Sequence, residues 1–78
     1  DLTIIPNPFS EGVLIKGLET NKDLVQVEIF DLRGRRLVNV ETKAEKQLFV
    51  AAKDLQKGLY VLKVRQGNKH YQQKLIKE

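Results

Sequence analysis

Few side chains in this 78-residue chain could act as a nucleophile, an acid or base, or a metal ligand. The sequence has one serine, Ser10, one histidine, His70, and no cysteine. A serine nucleophile needs a base within hydrogen-bond reach, so Ser10 and His70 are the only combination available. Ser10 follows a proline-rich turn, and His70 lies in a segment expected to be an edge strand. A turn hydroxyl and a solvated imidazole are therefore the favoured interpretation, and we predict no catalytic residue.

Carboxylates and arginines offer three further types of site. Asp31 and Asp54 begin the similar segments "DLRG" and "DLQKG", where side-chain capping of two turns explains them better than a glycosidase pair. The arginines of "RGRR" at 33–36 could bind phosphate, but no aromatic platform lies beside them, so we expect no nucleic-acid partner. No phosphate-binding loop or metal-ligand spacing occurs. The sequence thus predicts no metal, no cofactor and no enzyme activity.

Size and composition indicate one folded domain over residues 1–78. A chain this short buries only about 60 to 65% of the surface that its unfolded form exposes, which leaves little room for an enclosed active site. The net charge of +4, from 14 basic and 10 acidic residues, favours an anionic partner weakly. The chain opens on Asp1 and contains no methionine. We therefore expect a domain excised from a longer protein.

Alternating hydrophobicity predicts strands in the first half of the chain. Residues 2–5 form a short strand, which must end or lie at a sheet edge because Pro6 and Pro8 lack backbone donors. A second strand spans 12–17, and a polar turn spans 19–23. The clearest strand is "LVQVEIF" at 24–30, with Val25, Val27 and Ile29 on one face.

A turn and a returning strand follow. Asp31 is expected to cap the turn with its side chain, and Gly34 to take a positive φ. The strand at 36–42 places Val38 and Val40 on one face. The segment 44–57 is ambiguous, because its apolar residues have helical spacing and Gly58 is placed as a helix stop. A strand at "QLFVA" followed by a turn agrees better with the all-β surroundings, although a helical turn stays open.

The last third of the sequence predicts a hairpin. Tyr60, Leu62 and Val64 alternate with Leu59, Val61, Lys63 and Arg65, and "GN" at 67–68 is a two-residue hairpin signal. Six or seven short strands joined by turns predict an all-β fold, a small antiparallel immunoglobulin-like β-sandwich.

Four short motifs occur along the chain in a defined order. They are "PNP" at Pro6, Asn7 and Pro8 before "GVLIKG" from Gly12; "DLRG" with Asp31 and Gly34; "GLY" with Gly58 and Tyr60; and the lysine-flanked end "KLIKE", which is Lys74, Leu75, Ile76, Lys77 and Glu78. From residue 3 to residue 78 this arrangement resembles the C-terminal sorting domain (type A) of the type IX, or Por, secretion system of Bacteroidetes.

The resemblance implies a seven-stranded immunoglobulin-like sandwich that serves as a non-catalytic secretion signal at the end of a larger protein. It implies that the cargo enters the periplasm with a separate signal and crosses the outer membrane to the cell surface or medium after recognition by type IX components there. It further implies cleavage by a sortase-like protease, near or upstream of Asp1, and linkage of the cargo to anionic lipopolysaccharide.

The end of the chain is the expected recognition segment. We expect the machinery to recognise Lys74, Leu75, Ile76, Lys77 and Glu78, while the unpaired backbone of an edge strand would accept a strand from another protein, including a second copy in a strand-mediated dimer. The alternative is that Leu75 and Ile76 complete the core; both interpretations are compatible, because neighbouring residues point to opposite faces of a strand. An immunoglobulin-like adhesion or carbohydrate-binding module is the alternative function.

Overall fold

Seven β-strands form the domain. The computed structural model describes residues 2–20 and 23–78, so the predicted polar turn at 19–23 lies partly outside the described residues, as does Asp1. The strands are β1 (Thr3–Ile5), β2 (Gly12–Lys16), β3 (Leu24–Phe30), β4 (Arg36–Lys43), β5 (Gln47–Ala51), β6 (Gly58–Gln66) and β7 (Lys69–Lys77). Over the described ranges there is no helix, and hence none that could cross a membrane.

The strands form two antiparallel sheets that pack as a compact sandwich. One sheet has the order β1-β2-β5, and the other has the order β4-β3-β6-β7. The all-β sandwich predicted from the sequence is confirmed. The first strand is an edge strand, as the prolines after it require, and β4, β5 and β7 are the other edges.

The core lies between the sheets and follows the predicted alternation. Val25, Val27 and Ile29 of β3 are fully buried, and the intervening residues of β3 are only partly covered. Tyr60, Leu62 and Val64 are the buried face of β6. The remaining buried apolar residues are Ile4, Phe9, Val13, Ile15, Leu18, Val50, Ala52 and Leu75. Period-2 patterning therefore identified the core-facing side of both central strands.

The ambiguous segment contains a strand rather than a helix. Residues Gln47–Ala51 pair with β2, with Val13 opposite Val50 and both side chains in the core. Residues 52–57 then form the turn into β6. A helix would leave one edge of β2 unpaired in this small sheet, so sheet pairing decides the structure where local spacing favoured a helix.

Glycine is required at two positions for different reasons. Gly34, in the loop between β3 and β4, has a φ of 89°, and its missing Cβ would meet no heavy atom within 4 Å. Gly12, at the start of β2, allows a close approach instead, because a Cβ there would lie 2.3 Å from the carbonyl oxygen of Val50. The positive φ predicted for Gly34 is confirmed, and Gly58 also has a positive φ, of 148°.

This difference predicts the relative cost of two alanine substitutions. Gly12→Ala should reduce the free energy of unfolding by about 2 kcal/mol or more, because a backbone atom of β5 must move. Gly34→Ala, the matched control, should cost about 1 kcal/mol, from backbone conformation alone. Urea unfolding followed by circular dichroism measures both. Equal midpoints in the two variants would show that β2 and β5 have room for a Cβ.

Candidate functional site

The four sequence motifs come together at one end of the sandwich. Strands β1, β3 and β7 end there, and β2 and β6 begin there. Registers place Gly58 opposite Lys77 and Leu59 opposite Ile76, so the "GLY" and "KLIKE" motifs are neighbours. The "PNP" segment joins them through a parallel bridge between Phe9 and Lys77. We call this set of contacts the motif end.

The side-chain amide of Asn7 pairs with the backbone of the terminal strand. Its Nδ2 donates to the carbonyl oxygen of Lys74 at 3.0 Å, and its Oδ1 accepts from the backbone N–H of Ile76 at 2.9 Å. The primary amide thus presents one donor and one acceptor, as a neighbouring strand would. Asn7 therefore substitutes for a strand along this part of β7.

Phe9 continues the same contact. Its N–H donates to the carbonyl oxygen of Ile76 at 2.8 Å, and its carbonyl oxygen accepts from the N–H of Glu78 at 2.8 Å. The Phe9 ring is fully buried, with the Lys77 Nζ 6.0 Å from the ring centroid. Asn7 and Phe9 together form what we call the terminal clamp, which fixes β7 to the segment between β1 and β2.

The clamp decides which part of the β7 edge is free. Residues of an antiparallel strand alternate between those whose backbone groups face the paired strand and those whose groups face away. Lys74 and Ile76 face away from β6 towards the clamp, so His70 and Gln72, which share their parity, also face outward. In the described part of the chain no strand or loop backbone bonds to the outward backbone groups of those two residues. The expected unpaired edge is therefore found at the start of β7 and not over 74–78.

The side chains of the predicted recognition segment divide between the core and the surface. Leu75 is fully buried, so it completes the core. Ile76 is 42% exposed, Lys74 and Glu78 are exposed, and Lys77 is half-buried. The alternation expected for Leu75 and Ile76 is confirmed. Lys74, Ile76 and Glu78 are therefore the residues of this segment whose side chains are most exposed to solvent.

The "DLRG" motif forms a tight, charged loop. The Asp31 Oδ1 accepts from the N–H groups of Arg33 and Arg35, both at 2.9 Å, and its Oδ2 accepts from the Arg35 Nε at 2.8 Å. The Arg35 backbone hydrogen bond, followed by those from the Arg35 side chain and the Arg33 N–H, lowers the pKa of Asp31 below its ordinary value. Gly34 donates its N–H to the Asp31 carbonyl oxygen at 3.1 Å. The predicted cap is confirmed.

The corresponding "DLQKG" turn is held differently. The Tyr60 hydroxyl donates to the Gln56 carbonyl oxygen at 2.5 Å, and the Leu55 N–H donates to the Ala52 carbonyl oxygen at 3.3 Å. Within residues 2–20 and 23–78, no N–H donates to the Asp54 carboxylate, so the side-chain cap predicted for this second turn is wrong. The two loops border an open cleft of about 490 Å³. Tyr60 therefore has two roles, as a core residue and as the anchor of this loop.

The residues considered for catalysis do not meet. Ser10 follows Phe9 at the motif end, whereas His70 lies near the start of β7, seven residues before Lys77. At ~3.3 Å per residue this is about 23 Å along the strand, too far for a nucleophile and its base. No group of three or more potential metal ligands occurs among the residues that the structure describes.

Two contacts at the motif end had no signal in the sequence pattern. The Asn7 amide reaches backbone atoms 67 and 69 positions away, which a local turn interpretation does not suggest. The Lys63 Nζ lies 5.0 Å from the Phe30 ring centroid on the outer face of the larger sheet. The alternation of β6 did place Lys63 on the same face as Leu59, Val61 and Arg65. The residues opposite these four on that face come from β3 and β7 and could not be assigned from the alternation.

Comparison with protein-family models identifies the family of this chain. The family model described as "Secretion system C-terminal sorting domain" matches residues 3–78. A search of curated protein sequences found no match. The matched range includes the four motifs of the motif end and both sheets.

The terminal clamp predicts a local effect of Asn7→Ala. Loss of two hydrogen bonds should reduce the free energy of unfolding by about 1 to 2 kcal/mol. Exchange of the Ile76 amide should rise by about tenfold or more relative to that of Leu75, whose N–H faces β6. Hydrogen exchange by NMR measures both amides. Asn39→Ala, which removes a surface amide that accepts a hydrogen bond from Gln26, is the control. Unchanged Ile76 exchange in Asn7→Ala would contradict the clamp.

The Asp31 loop predicts a pH-dependent effect of Asp31→Asn. Because the pKa of Asp31 is lowered in the folded state, its ionised form stabilises the fold at neutral pH, and this stabilisation is lost as the pH falls through the lowered pKa. Asparagine keeps an oxygen acceptor but no charge. The urea midpoint of the variant should be below that of the wild type at neutral pH, and the two should converge in strong acid. A constant offset between Asp31→Asn and the wild type at all pH values would contradict the assignment.

Proposed function

The chain belongs to the C-terminal sorting domain family of the type IX secretion system, and we propose from this membership that it is a non-catalytic label read through the side chains of its motif end. The observation that carries the proposal is the terminal clamp. Asn7 and Phe9 occupy the outward backbone groups of the last strand, so Lys74, Ile76 and Glu78 are presented from a fixed strand.

The same hydrogen bonds imply that a partner recognises the side chains of the terminal strand and not its backbone. A partner strand that added to β7 over 74–78 would have to displace four hydrogen bonds made by Asn7 and Phe9. Lys74 and Ile76 need no such displacement, because both side chains already face solvent. Recognition is therefore of the folded domain, and an unfolded tail with the same sequence would lack the arrangement.

In the transport sequence that we propose, the domain acts after its cargo has reached the periplasm. Type IX components at the outer membrane bind the motif end, and the cargo crosses to the cell surface or medium. A sortase-like protease then separates the cargo from the label and the cargo is linked to anionic lipopolysaccharide. The label supplies no catalytic group to these steps, because its one serine follows Phe9 at the motif end while its one histidine lies near the start of β7.

One observation bears on the alternative of an adhesion or carbohydrate-binding module. Phe49 is 56% exposed on the outer face of the smaller sheet, in register with Leu14 of β2 and, across β2, with Ile5 of β1. An exposed ring is what a sugar-binding platform needs. The residues directly across the sheet, Leu14 and Ile5, are apolar, and the same face also carries Lys16 and Gln47. The match of the sorting-domain family model to residues 3–78 favours the sorting role over this alternative.

The proposal is tested by an export assay in a host that has the type IX machinery. A reporter with an N-terminal export signal is fused in front of this domain and compared with the same fusion carrying Lys74→Ala and Ile76→Gln. Both substitutions leave the buried Leu75 in place. The unaltered fusion should reach the surface or medium, and the variant should accumulate in the periplasm.

The matched control lies at the other end of the same sheet face. Leu24 is 51% exposed and lies opposite Lys43 in the register of β3 and β4, so Leu24→Gln with Lys43→Ala likewise removes one exposed aliphatic side chain and one lysine, but away from the motif end. This control should be exported normally. Urea midpoints of the isolated domains show whether each variant is folded. Normal export of a folded Lys74→Ala, Ile76→Gln variant would overturn side-chain reading of the terminal strand.

A further inference from the structure

The outer face of the larger sheet carries an apolar patch next to the terminal strand. Leu59 lies opposite Ile76, and Val61 lies opposite both Lys74 and, on its other side, Phe30. Leu59 and Ile76 are 41% and 42% exposed, and Phe30 and Val61 are partly covered. We call these four residues, Phe30, Leu59, Val61 and Ile76, the outer patch. One of the four, Ile76, belongs to the proposed recognition segment.

The rim of the outer patch is positively charged and is not neutralised within the domain. Lys74 lies beside Val61, and the Lys63 ammonium lies over the Phe30 ring at 5.0 Å. Neither lysine forms an ion pair with any residue that the structure describes. The nearby carboxylate of Glu28, which is opposite Lys63 in the sheet, accepts instead from the Arg36 Nη1 at 3.0 Å. The patch therefore combines apolar surface with two unmatched cations.

We infer that the outer patch is a docking surface for a protein of the export machinery whose own surface has apolar side chains flanked by carboxylates. The inference rests on the proposed sorting role and extends it, because Leu59, Val61, Phe30 and Lys63 lie outside the terminal segment. Desolvation of Leu59 and Ile76 drives the association, and carboxylates opposite Lys63 and Lys74 set its orientation and its sensitivity to salt.

The geometry favours a protein over an anionic membrane surface. The patch residues stand on strands that form one sheet face, and none is more than about two-fifths exposed. A membrane-bound element must place its apolar side chains about 5 to 10 Å into the headgroup and acyl boundary. Side chains that are half covered by their sheet neighbours do not reach that depth. A flat apolar centre with a charged rim is the anatomy of a protein–protein interface.

The test measures binding of the labelled, unaltered domain to two kinds of vesicle. One kind is outer-membrane vesicles from a host with the type IX machinery, and the other is protein-free vesicles made from the extracted lipids of the same membranes. We expect saturable binding to the first kind that weakens as salt is added, and none to the second. Equal binding to the protein-free vesicles would overturn the inference in favour of a membrane surface.

The variant Leu59→Gln with Lys63→Glu leaves the terminal segment unaltered. It should weaken binding by about tenfold or more, which corresponds to ~1.4 kcal/mol. The control Leu24→Gln with Lys43→Glu makes the same changes at the far end of the same face and should stay within about twofold of the wild type, as expected for charges distant from an interface. Urea midpoints first establish that both double variants are folded. Binding that weakens equally in the two variants, or that does not weaken in Leu59→Gln with Lys63→Glu, would then overturn the inference.

Export separates failure of this inference from failure of the sorting role. If Leu59→Gln with Lys63→Glu is exported normally while Lys74→Ala with Ile76→Gln is retained, the sorting role stands and the extended docking surface is wrong. If both are exported normally, the terminal strand is not the recognised element and both proposals fail. Retention of both, with normal export of the far-end control, supports the outer patch.

Discussion

The pairing of Asn7 and Phe9 with the last strand is the contact on which the arrangement of the motif end depends. β7 is an edge strand, and its outward backbone groups near the chain end would otherwise be open to water or to another chain. Asn7 satisfies two of these groups with a side chain, and Phe9 satisfies two more with its backbone. Phe9 also places its ring in the core. One segment thus closes the edge and anchors the loop between β1 and β2 against the opposite sheet.

An exposed terminal strand would offer a partner both unpaired backbone groups and side chains, whereas this closure leaves only the side chains accessible. An open edge binds other strands with little discrimination, since backbone groups are the same in every protein. With the edge occupied over 74–78, only side chains distinguish this surface. Lys74 and Ile76 remain available, while Leu75 is committed to the core. On the proposal of side-chain recognition, Asn7 and Phe9 must be in place for the label to be recognised, so folding and recognition would depend on the same contacts.

Sequence reasoning succeeded where structure is local and failed where it depends on distant pairing. The alternation in β3 and β6 identified the core faces because side-chain direction in a strand is set residue by residue. Asp31 was identified as a cap because its partners, Arg33 and Arg35, are close in sequence. The strand at Gln47–Ala51 was favoured only by context, since its spacing fits a helix equally well. The Asn7 amide bonds could not be predicted, because their acceptor and donor lie 67 and 69 positions away.

The charges around the outer patch bear on which partner can cover it. If two copies of the domain met through this face, the Lys63 and Lys74 of one copy would approach those of the other. Like charges at a desolvated interface are destabilising, and none of the carboxylates described on this face is paired with either lysine. An acidic partner removes that penalty and gains the burial of Leu59 and Ile76. The two lysines therefore disfavour self-association through the surface that they make attractive to an acidic partner, which is the selectivity that a sorting label requires.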